Sequence, residues 1–227
     1  MALLLNIDTA TEYASVCLTD NGVKIGFAAN ADQKNHGAFL QPAIQQLFKN
    51  AGRSLKNIDA SSVSNGPGSY TGLRVGLASA KGLCFALNKP LITINTLEVM
   101  AIAAIQSIGQ PLNTATYFCP LIDARRLEVF TALYDENLNA ILSPTAIIID
   151  ENSFENELQK NRIIFFGSGH QKLQNILQHT NAVFSSVQHN AQHVGILAEL
   201  NFAKKEFADL AYSEPFYLKE FYSPSKP

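Results

Sequence analysis

Short apolar runs alternate with turn-like residues over the first thirty positions of the chain. The runs at residues 3–7, 15–19 and 24–29 have the length of β-strands, and Asp20-Asn21-Gly22 is typical of a hairpin turn. Residues 36–51 then carry apolar side chains at helical spacing, with polar side chains on the opposite side, which predicts an amphipathic helix. The chain therefore opens with a βββα pattern.

The pattern continues through a glycine-rich loop. A predicted strand at residues 60–64 leads into the loop NGPGSYTG at residues 65–72, then a helix at residues 73–87 and a strand at residues 91–94. The first half of the chain therefore reads βββαβα.

The second half repeats this order more loosely. Its strand-like runs lie at residues 117–122, 127–134, 146–149 and 163–166. A helix-like run at residues 153–160 comes before the last of these strands. A duplicated βββαβα unit is the plan of the actin-like ATPase superfamily, so we predict an α/β fold with two actin-like (ASKHA, RNase H-like) lobes and a degenerate second lobe. The predicted lobes are residues 1–95 and 96–227, and this division leaves open whether the C-terminal helix packs back on the first lobe.

Composition and charge exclude several classes of function. The 227 residues are 47% hydrophobic and 16% charged with a net charge of −2, which is typical of a globular protein and not of a stand-alone nucleic-acid binder. The three cysteines have neither metal-ligand nor redox spacing, which indicates buried thiols in a reducing compartment. The apolar run near the N-terminus is too short for a signal peptide, so we expect a cytoplasmic location.

The loop at residues 65–72 has the position of a phosphate loop but not its chemistry. Pro67 supplies no N–H group, and Gly72-Leu73-Arg74 stands where a Walker motif has Gly-Lys-Ser/Thr. We favour a structural strand-to-helix turn in which Thr71 is the N-cap.

The helix at residues 73–87 is apolar nearly all round, which indicates burial on several sides. Gly72, Gly76 and Ala80 form a row of small residues that allows another helix to approach closely. Two interpretations remain open: both faces are filled within the monomer, or a partner chain completes one face.

The candidate catalytic residues lack the context that phosphate chemistry needs. Asp8 and Asp123 each end a strand where an Asp-x-Gly turn would hold a phosphate, but Ala10 and Ala124 replace the glycines. Either aspartate could instead cap its own turn. No Ser/His/Asp set has a recognisable context either.

Two histidines, His189 and His193, are four positions apart, a spacing that metal sites on helices use. The surrounding SSVQHNAQHVG contains turn-like residues, so we favour a solvated helix start over a metal site.

Several motifs together resemble a known family. The stretches NIDTATEYASVCL, GPGSYTGLRVGLASAKGLCFALNKPLITINTLEVMA, IDARRLEVF and PFYLK are similar to the bacterial TsaB (YeaZ) family, the companion subunit in threonylcarbamoyladenosine modification of tRNA. The resemblance departs at His36-Gly37-Ala38, where the family has His-Ser-Gln, and is faint over residues 138–192.

The resemblance implies a non-catalytic scaffold. The family's catalytic paralogue, TsaD, binds a metal through two histidines, and Thr96 and Met100 occupy those positions here, so no metal or cofactor is expected on this chain itself. ATP and metal are expected in the partner subunits. The resemblance also implies that Asp8, Thr9 and Asp123 are remnants of a nucleotide site.

The implied partners are TsaD, as a heterodimer, and the ATPase TsaE in a larger complex, with tRNA contacted indirectly through the complex. TsaD would transfer the threonylcarbamoyl group to the adenosine beside the anticodon, and the same helices could form a homodimer when TsaD is absent. No membrane partner is expected. The predicted partner-binding residues, all on the two helices of the first lobe, are Leu40, Ile44, Leu47, Leu73, Gly76, Leu77, Ala80 and Cys84.

A second function class is an ATPase or sugar-kinase-like phosphotransferase that acts on its own through Asp8 and Asp123. Such an enzyme should keep glycine-rich phosphate turns in both lobes, and the residues Ala10 and Ala124 argue against it.

Overall fold

A computed structural model describes residues 2–32, 35–108 and 115–219 of the chain. The contacts within it define two compact units: Met1–Pro111 with Val187–Pro215, and Leu112–Ser186 with Phe216–Pro227. The tail at residues 221–227, for which the sequence predicts no role, lies outside the described residues. Within those described ranges, no helix combines the length and apolar character needed to cross a membrane.

The first unit contains a five-stranded mixed sheet in the order β3-β2-β1-β4-β5. Its strands are β1 (Leu3–Asp8), β2 (Ala14–Asp20), β3 (Val23–Asn30), β4 (Ala60–Gly66) and β5 (Leu91–Asn95). The first three strands pair antiparallel, whereas β4 is parallel to both β1 and β5. This arrangement puts β1 in the middle of the sheet, where all six of its residues are buried.

The helices of the first unit are α1 (His36–Asn50), α2 (Tyr70–Leu87), α3 (Thr96–Ile108) and α6 (Ala191–Lys204). Because side chains alternate along a strand, Leu5 and Ile7 of β1 join the apolar core beneath α1 and α2. Asn6 points to the other face, where Gly195 of α6 packs against it. The end of β1 therefore lies between helices on both faces of the sheet.

The second unit repeats the same strand order. Its strands are β6 (Thr116–Asp123), β7 (Glu128–Tyr134), β8 (Ala140–Ile148), β9 (Arg162–Phe166) and β10 (Ala182–Phe184). They form a sheet in the order β8-β7-β6-β9-β10, with β6 between an antiparallel and a parallel neighbour as β1 is in the first sheet. The predicted α/β class with two actin-like lobes is confirmed.

The helices of the second unit are much shorter than their counterparts. Helix α4 (Glu155–Leu158) has 4 residues where α1 has 15, and α5 (His170–Gln174) has 5 residues where α2 has 18. The core of this unit is formed by buried residues such as Phe165 and Leu173 beneath these short helices. The second unit therefore keeps the sheet of the duplicated plan with reduced helices.

The division of the chain differs from the predicted boundary after residue 95. Helix α3, which the sequence pattern did not predict, follows β5 without a break and packs on β4 and β5 of the first sheet. Eight of its 13 residues are buried, and this nearly uniform burial gives the segment no amphipathic period to recognise. The C-terminal helix α6 packs on β1, β2, β4 and β5, and so belongs to the first unit.

Candidate functional site

Asp8 lies at the end of β1 and is completely buried. Its Oδ1 accepts hydrogen bonds from the backbone N–H of Ala10 at 3.1 Å and from the Ser64 hydroxyl at 2.6 Å. The first bond is that of an aspartate capping its own turn, one of the two roles that the sequence left open. The second fixes the carboxylate to the neighbouring strand β4.

The other carboxylate oxygen of Asp8 faces a histidine from a distant part of the chain. His189 Nε2 lies 3.4 Å from Asp8 Oδ2, and neither atom has a hydrogen-bond partner. The His189 side chain is only 9% exposed. The prediction that His189 lies in a solvated helix start is therefore wrong as to solvation, because this residue closes over the end of β1.

The predicted helix start itself is confirmed, since α6 begins at Ala191 with Asn190 as its N-cap. The Asn190 side chain accepts from the N–H of Gln192, and His193 Nδ1 accepts from the N–H of Asn190, completing a capping box. Burial lowers the pKa of His193, and the nearby His189 lowers it further. A neutral His193 is what this acceptor role requires.

The loop between β4 and α2 uses its own N–H groups within the protein. The N–H of Ser69 donates to the carbonyl of Ala10 at 2.7 Å, and that of Gly66 donates to the Thr96 hydroxyl at 3.1 Å. The N–H of Gly72 donates to the Ser69 hydroxyl at 3.3 Å. These bonds are those of a structural turn, as favoured from the sequence. The N-cap is Ser69, however, so the prediction that Thr71 caps the helix is wrong: α2 begins at Tyr70, two residues before the start that a Thr71 cap would give.

The row of small residues on α2 packs against the turn after β1. A Cβ added at Gly72 would collide with the carbonyl of Thr9, and one added at Gly76 would collide with the Thr9 hydroxyl. The Thr9 hydroxyl in turn donates a 2.7 Å hydrogen bond to the carbonyl of Gly72. The small residues therefore allow α2 to approach a strand end within the same unit, which is the first of the two interpretations left open by the sequence.

The residues predicted to bind a partner share one property, which is that all are buried in the first unit. They are Leu40, Ile44, Leu47, Leu73, Gly76, Leu77, Ala80 and Cys84. These side chains hold α1 and α2 on the sheet, because the apolar stripe of a surface helix faces its own core. Direct contact between them and a partner does not fit this burial.

A different set of residues forms the outer face of α1 and α2. This outer face consists of the exposed residues Ala38, Gln41, Gln45, Ala78, Gly82 and Phe85. Phe85 is 81% exposed, and the space beside Gly82 is open. A hydrogen bond of 3.0 Å from Gln41 to the half-buried Ser79 joins the two helices. Neither helix contains an aspartate or glutamate.

Sequence reasoning missed this face because it followed the most apolar stripe. The signal that identifies it is the helical spacing of Phe85 with two small residues, Ala78 and Gly82, outside the buried stripe of the same helix.

The second aspartate, Asp123, caps a turn of its own in the second unit. Its Oδ1 accepts from the N–H of Arg125 at 2.6 Å and from Lys172 Nζ at 2.5 Å. Partial burial acts to raise the pKa of Asp123, but these hydrogen bonds and the charge of Lys172 outweigh it and lower the pKa. The carboxylate is thus an ion-pair partner with 42% of the side chain exposed.

The two positions at which the resemblance implies metal ligands in the paralogue hold buried residues of α3. Thr96 is fully buried and accepts a hydrogen bond from Gly66, and Met100 is 2% exposed. Over residues 2–32, 35–108 and 115–219, no cluster of three or more His, Cys, Asp or Glu side chains has the arrangement of a metal site.

The known proteins that this chain resembles carry names from the threonylcarbamoyladenosine modification of tRNA. A family model described as "TsaD: tRNA N6-adenosine threonylcarbamoyltransferase" matches residues 23–221. The chain is 30% identical to the tRNA threonylcarbamoyladenosine biosynthesis protein TsaB of Haemophilus influenzae over 95% of this chain and 93% of that protein. It is 28% identical to the protein of the same name from Bacillus subtilis, with the same coverage.

A solved structure from Pseudomonas aeruginosa, described as a protein with similarity to the peptidase YeaZ, is 26% identical with a TM-score of 0.85. It matches 96% of this chain and 100% of its own length.

Proposed function

Because this chain belongs to the TsaB (YeaZ) family, we propose that it is a non-catalytic subunit of tRNA threonylcarbamoyladenosine biosynthesis that binds TsaD through the outer face of α1 and α2. The observation that carries the proposal is Phe85, a large apolar side chain that is 81% exposed on the outer face of two helices without acidic residues. Phe85 lies on one helical stripe with the exposed residues Ala78 and Gly82, and contiguous exposed apolar surface is typical of interaction sites. TsaE joins the larger complex, and tRNA is contacted through the complex.

The absence of catalysis by this chain alone is supported by the turn after β1. The carbonyl of Thr9 is directed at Gly72 in the first turn of α2 and that of Ala10 at Gly68 in the loop before it, and neither position has room for a Cβ. Carbonyl oxygens and a buried carboxylate repel a phosphate, and the N–H of Ser69 that could attract one is bonded to Ala10. ATP and metal therefore belong to the partner subunits.

A hydrolase function has an observation against it as well. In a serine hydrolase the histidine lies between the nucleophile and the carboxylate, so that it can take the proton of the serine. Here Asp8 lies between Ser64 and His189, and Ser64 is fully buried. In this order the Ser64 hydroxyl donates to the carboxylate of Asp8, and the histidine is not in position to take its proton.

The partner surface is tested by calorimetric titration of the chain with purified TsaD. Phe85→Glu places a charge in the centre of the outer face and should weaken binding at least about tenfold, because a charge buried at an interface without a partner costs more than 1.4 kcal/mol. Leu200→Glu is the matched control, since Leu200 is 55% exposed on α6, which packs on the opposite face of the same sheet. Equal affinity of Phe85→Glu and the unaltered chain would refute this surface.

The same surface should govern self-association. We expect the isolated chain to form a homodimer that TsaD dissociates by competition. Size-exclusion chromatography with light scattering measures both states. A homodimer that persists with TsaD bound would show that the two partners use different faces.

The phosphotransferase alternative is tested with ATP and magnesium as a separate titrant. The isolated chain should give no binding heat, and Asp123→Asn should leave tRNA modification by the reconstituted complex nearly intact. Tight ATP binding by the isolated chain, or loss of modification with Asp123→Asn, would support an enzyme that uses this carboxylate.

A further inference from the structure

Two large apolar side chains have the highest exposure among the residues that the structure describes: Tyr212, at 83%, and Phe85, at 81%. Phe85 lies on the outer face of α1 and α2, and Tyr212 lies in the segment that follows α6. A ring left in water buries no surface within its own chain, so both side chains are candidates for contact with a partner.

The segment around Tyr212 is fastened to the side of α2 by Lys81. The ammonium group of Lys81 donates hydrogen bonds to the carbonyl of Ala211 at 3.2 Å and to that of Ser213 at 2.9 Å, and these are the two neighbours of Tyr212 in the chain. Lys81 precedes Phe85 by one helical turn on the same side of α2. The lysine therefore holds the backbone of Tyr212 beside the helix that carries Phe85.

The backbone around Tyr212 is also fixed from within the segment. Asp209 Oδ1 accepts from the N–H of Ala211 at 2.8 Å and from that of Tyr212 at 3.0 Å. The N–H of Ser213 donates to the carbonyl of Asp209 at 2.9 Å, and Leu210 packs against the core beneath α2. An exposed ring on a backbone fixed in this way loses little further freedom on binding, which increases affinity.

We propose that Tyr212 and Phe85 belong to one binding surface, on which TsaD covers both rings, and that Lys81 is a positioning residue for Tyr212. The inference rests on the proposed function, since it extends the same outer face by the segment at residues 209–213. Aromatic side chains that become buried at an interface carry a large share of its binding energy, and tyrosine is frequent among them.

The charges of α1 and α2 favour TsaD over a second copy of this chain as the occupant. The two helices carry Lys49, Arg74 and Lys81 and no acidic residue, although the net charge of the chain is −2. In a symmetric dimer through this face, each copy would bring the same cations to the interface, where like charges repel. A partner with carboxylates on the facing surface replaces this repulsion by attraction, so we expect carboxylates where TsaD faces these helices.

The experiment is calorimetric titration of the full chain with purified TsaD. Tyr212→Ala should weaken binding about tenfold, because the ring is lost from the interface. Its fold should be unaffected, since the ring is exposed in the free chain. Val23→Ala is the matched control and should bind as the unaltered chain does, because Val23 is 65% exposed on β3, at the opposite edge of the sheet from β5.

Phe85→Glu in the same series separates this inference from the proposed function. Weak binding by Phe85→Glu with unchanged binding by Tyr212→Ala would overturn the inference and leave the proposed surface intact. Unchanged binding by both variants would refute the proposed surface itself.

The positioning role is tested at Lys81. Lys81→Met removes both hydrogen bonds to the segment and should weaken TsaD binding, whereas Lys81→Arg can still donate to both carbonyls and should retain it. The loss caused by Lys81→Met should be smaller in the Tyr212→Ala background than in the unaltered chain, because part of it acts through the ring. Equal losses in the two backgrounds would overturn the positioning role.

Self-association and salt test the choice of occupant. Since salt screens exposed charges, raising its concentration should weaken TsaD binding and should not weaken the homodimer. A TsaD affinity that does not fall with salt would contradict an acidic facing surface. Loss of self-association in Tyr212→Ala with unchanged affinity for TsaD would assign the ring to a contact between copies of this chain and overturn the inference.

Discussion

The hydroxyl of Thr9 donates a 2.7 Å hydrogen bond to the carbonyl oxygen of Gly72, which joins the turn after β1 to the first turn of α2. The N–H of Ser69 reinforces this junction by donating to the carbonyl of Ala10. The turn after β1 therefore holds both the loop before α2 and the first turn of that helix. Gly68 and Gly72 allow this contact because a Cβ at either position would collide with the turn.

The N-cap of α2 can be tested by two alanine substitutions. Ser69→Ala should lower the free energy of unfolding by about 1 kcal/mol, because the Ser69 hydroxyl accepts from the N–H of Gly72. Thr71→Ala, at an exposed position that makes no capping bond, should change it by less than about 0.5 kcal/mol. Urea unfolding followed by circular dichroism measures both. The reverse ranking would make Thr71 the cap.

Two glycines of α2 provide a test of the close contact with Thr9. Gly76→Ala should destabilise the fold by about 1–3 kcal/mol, because the added methyl group collides with the Thr9 hydroxyl and lies 3.3 Å from Val63. Gly82→Ala is the matched control in the same helix. Since nothing lies within 4 Å, it should stabilise by up to about 1 kcal/mol through helix propensity alone. Equal effects in urea unfolding would argue against the packing of α2 on this turn.

His193 should make the fold less stable in mild acid. Its pKa is lowered below the ordinary value of 6.5, mainly by burial, so the unfolded chain takes up this proton first as the pH falls. The contribution of neutral His193 to the free energy of unfolding is fully present above about pH 6.5 and is lost as pH falls through the lowered pKa.

The variant His193→Gln isolates this effect, because glutamine can accept the same N-cap bond without titrating. Its free energy of unfolding should fall less than that of the unaltered chain between pH 7.5 and 5.5. Parallel stability curves for the two proteins would mean that His193 does not titrate differently in the folded state.

The three thiols should be unreactive in the folded chain. Burial raises the pKa of Cys17 and of Cys84 to about 11, and that of Cys119 to about 12. The thiolate is the reactive form, so alkylation by iodoacetamide at pH 8 should be slow until urea unfolds the protein. Ala203→Cys introduces an exposed thiol on α6, away from the outer face of α1 and α2, as a control and should be alkylated at once. Rapid labelling of a native cysteine would show that its region opens.

The sequence determined most of the strands and the duplicated plan, because the alternation of apolar and polar residues is a local property. The predicted strand at residues 60–64 and the helix at residues 36–51 agree with β4 and α1 to within two residues at each end. Helix α3 was not predicted, because it is buried on nearly all sides and its apolar residues show no helical period.

Tertiary structure alone decided which face of α2 remains exposed and what the small residues contact. An apolar stripe identifies the face that must be buried, but not whether the chain's own sheet or a partner covers it. The structure buries Leu77 and Gly76 within the unit and leaves Phe85 outside. The pairing of Asp8 with His189 was equally beyond the sequence, since residues 181 positions apart meet only once α6 has packed on β1. Periodicity acts over a few residues, whereas such contacts depend on the order of the strands and on the face of the sheet that each helix covers.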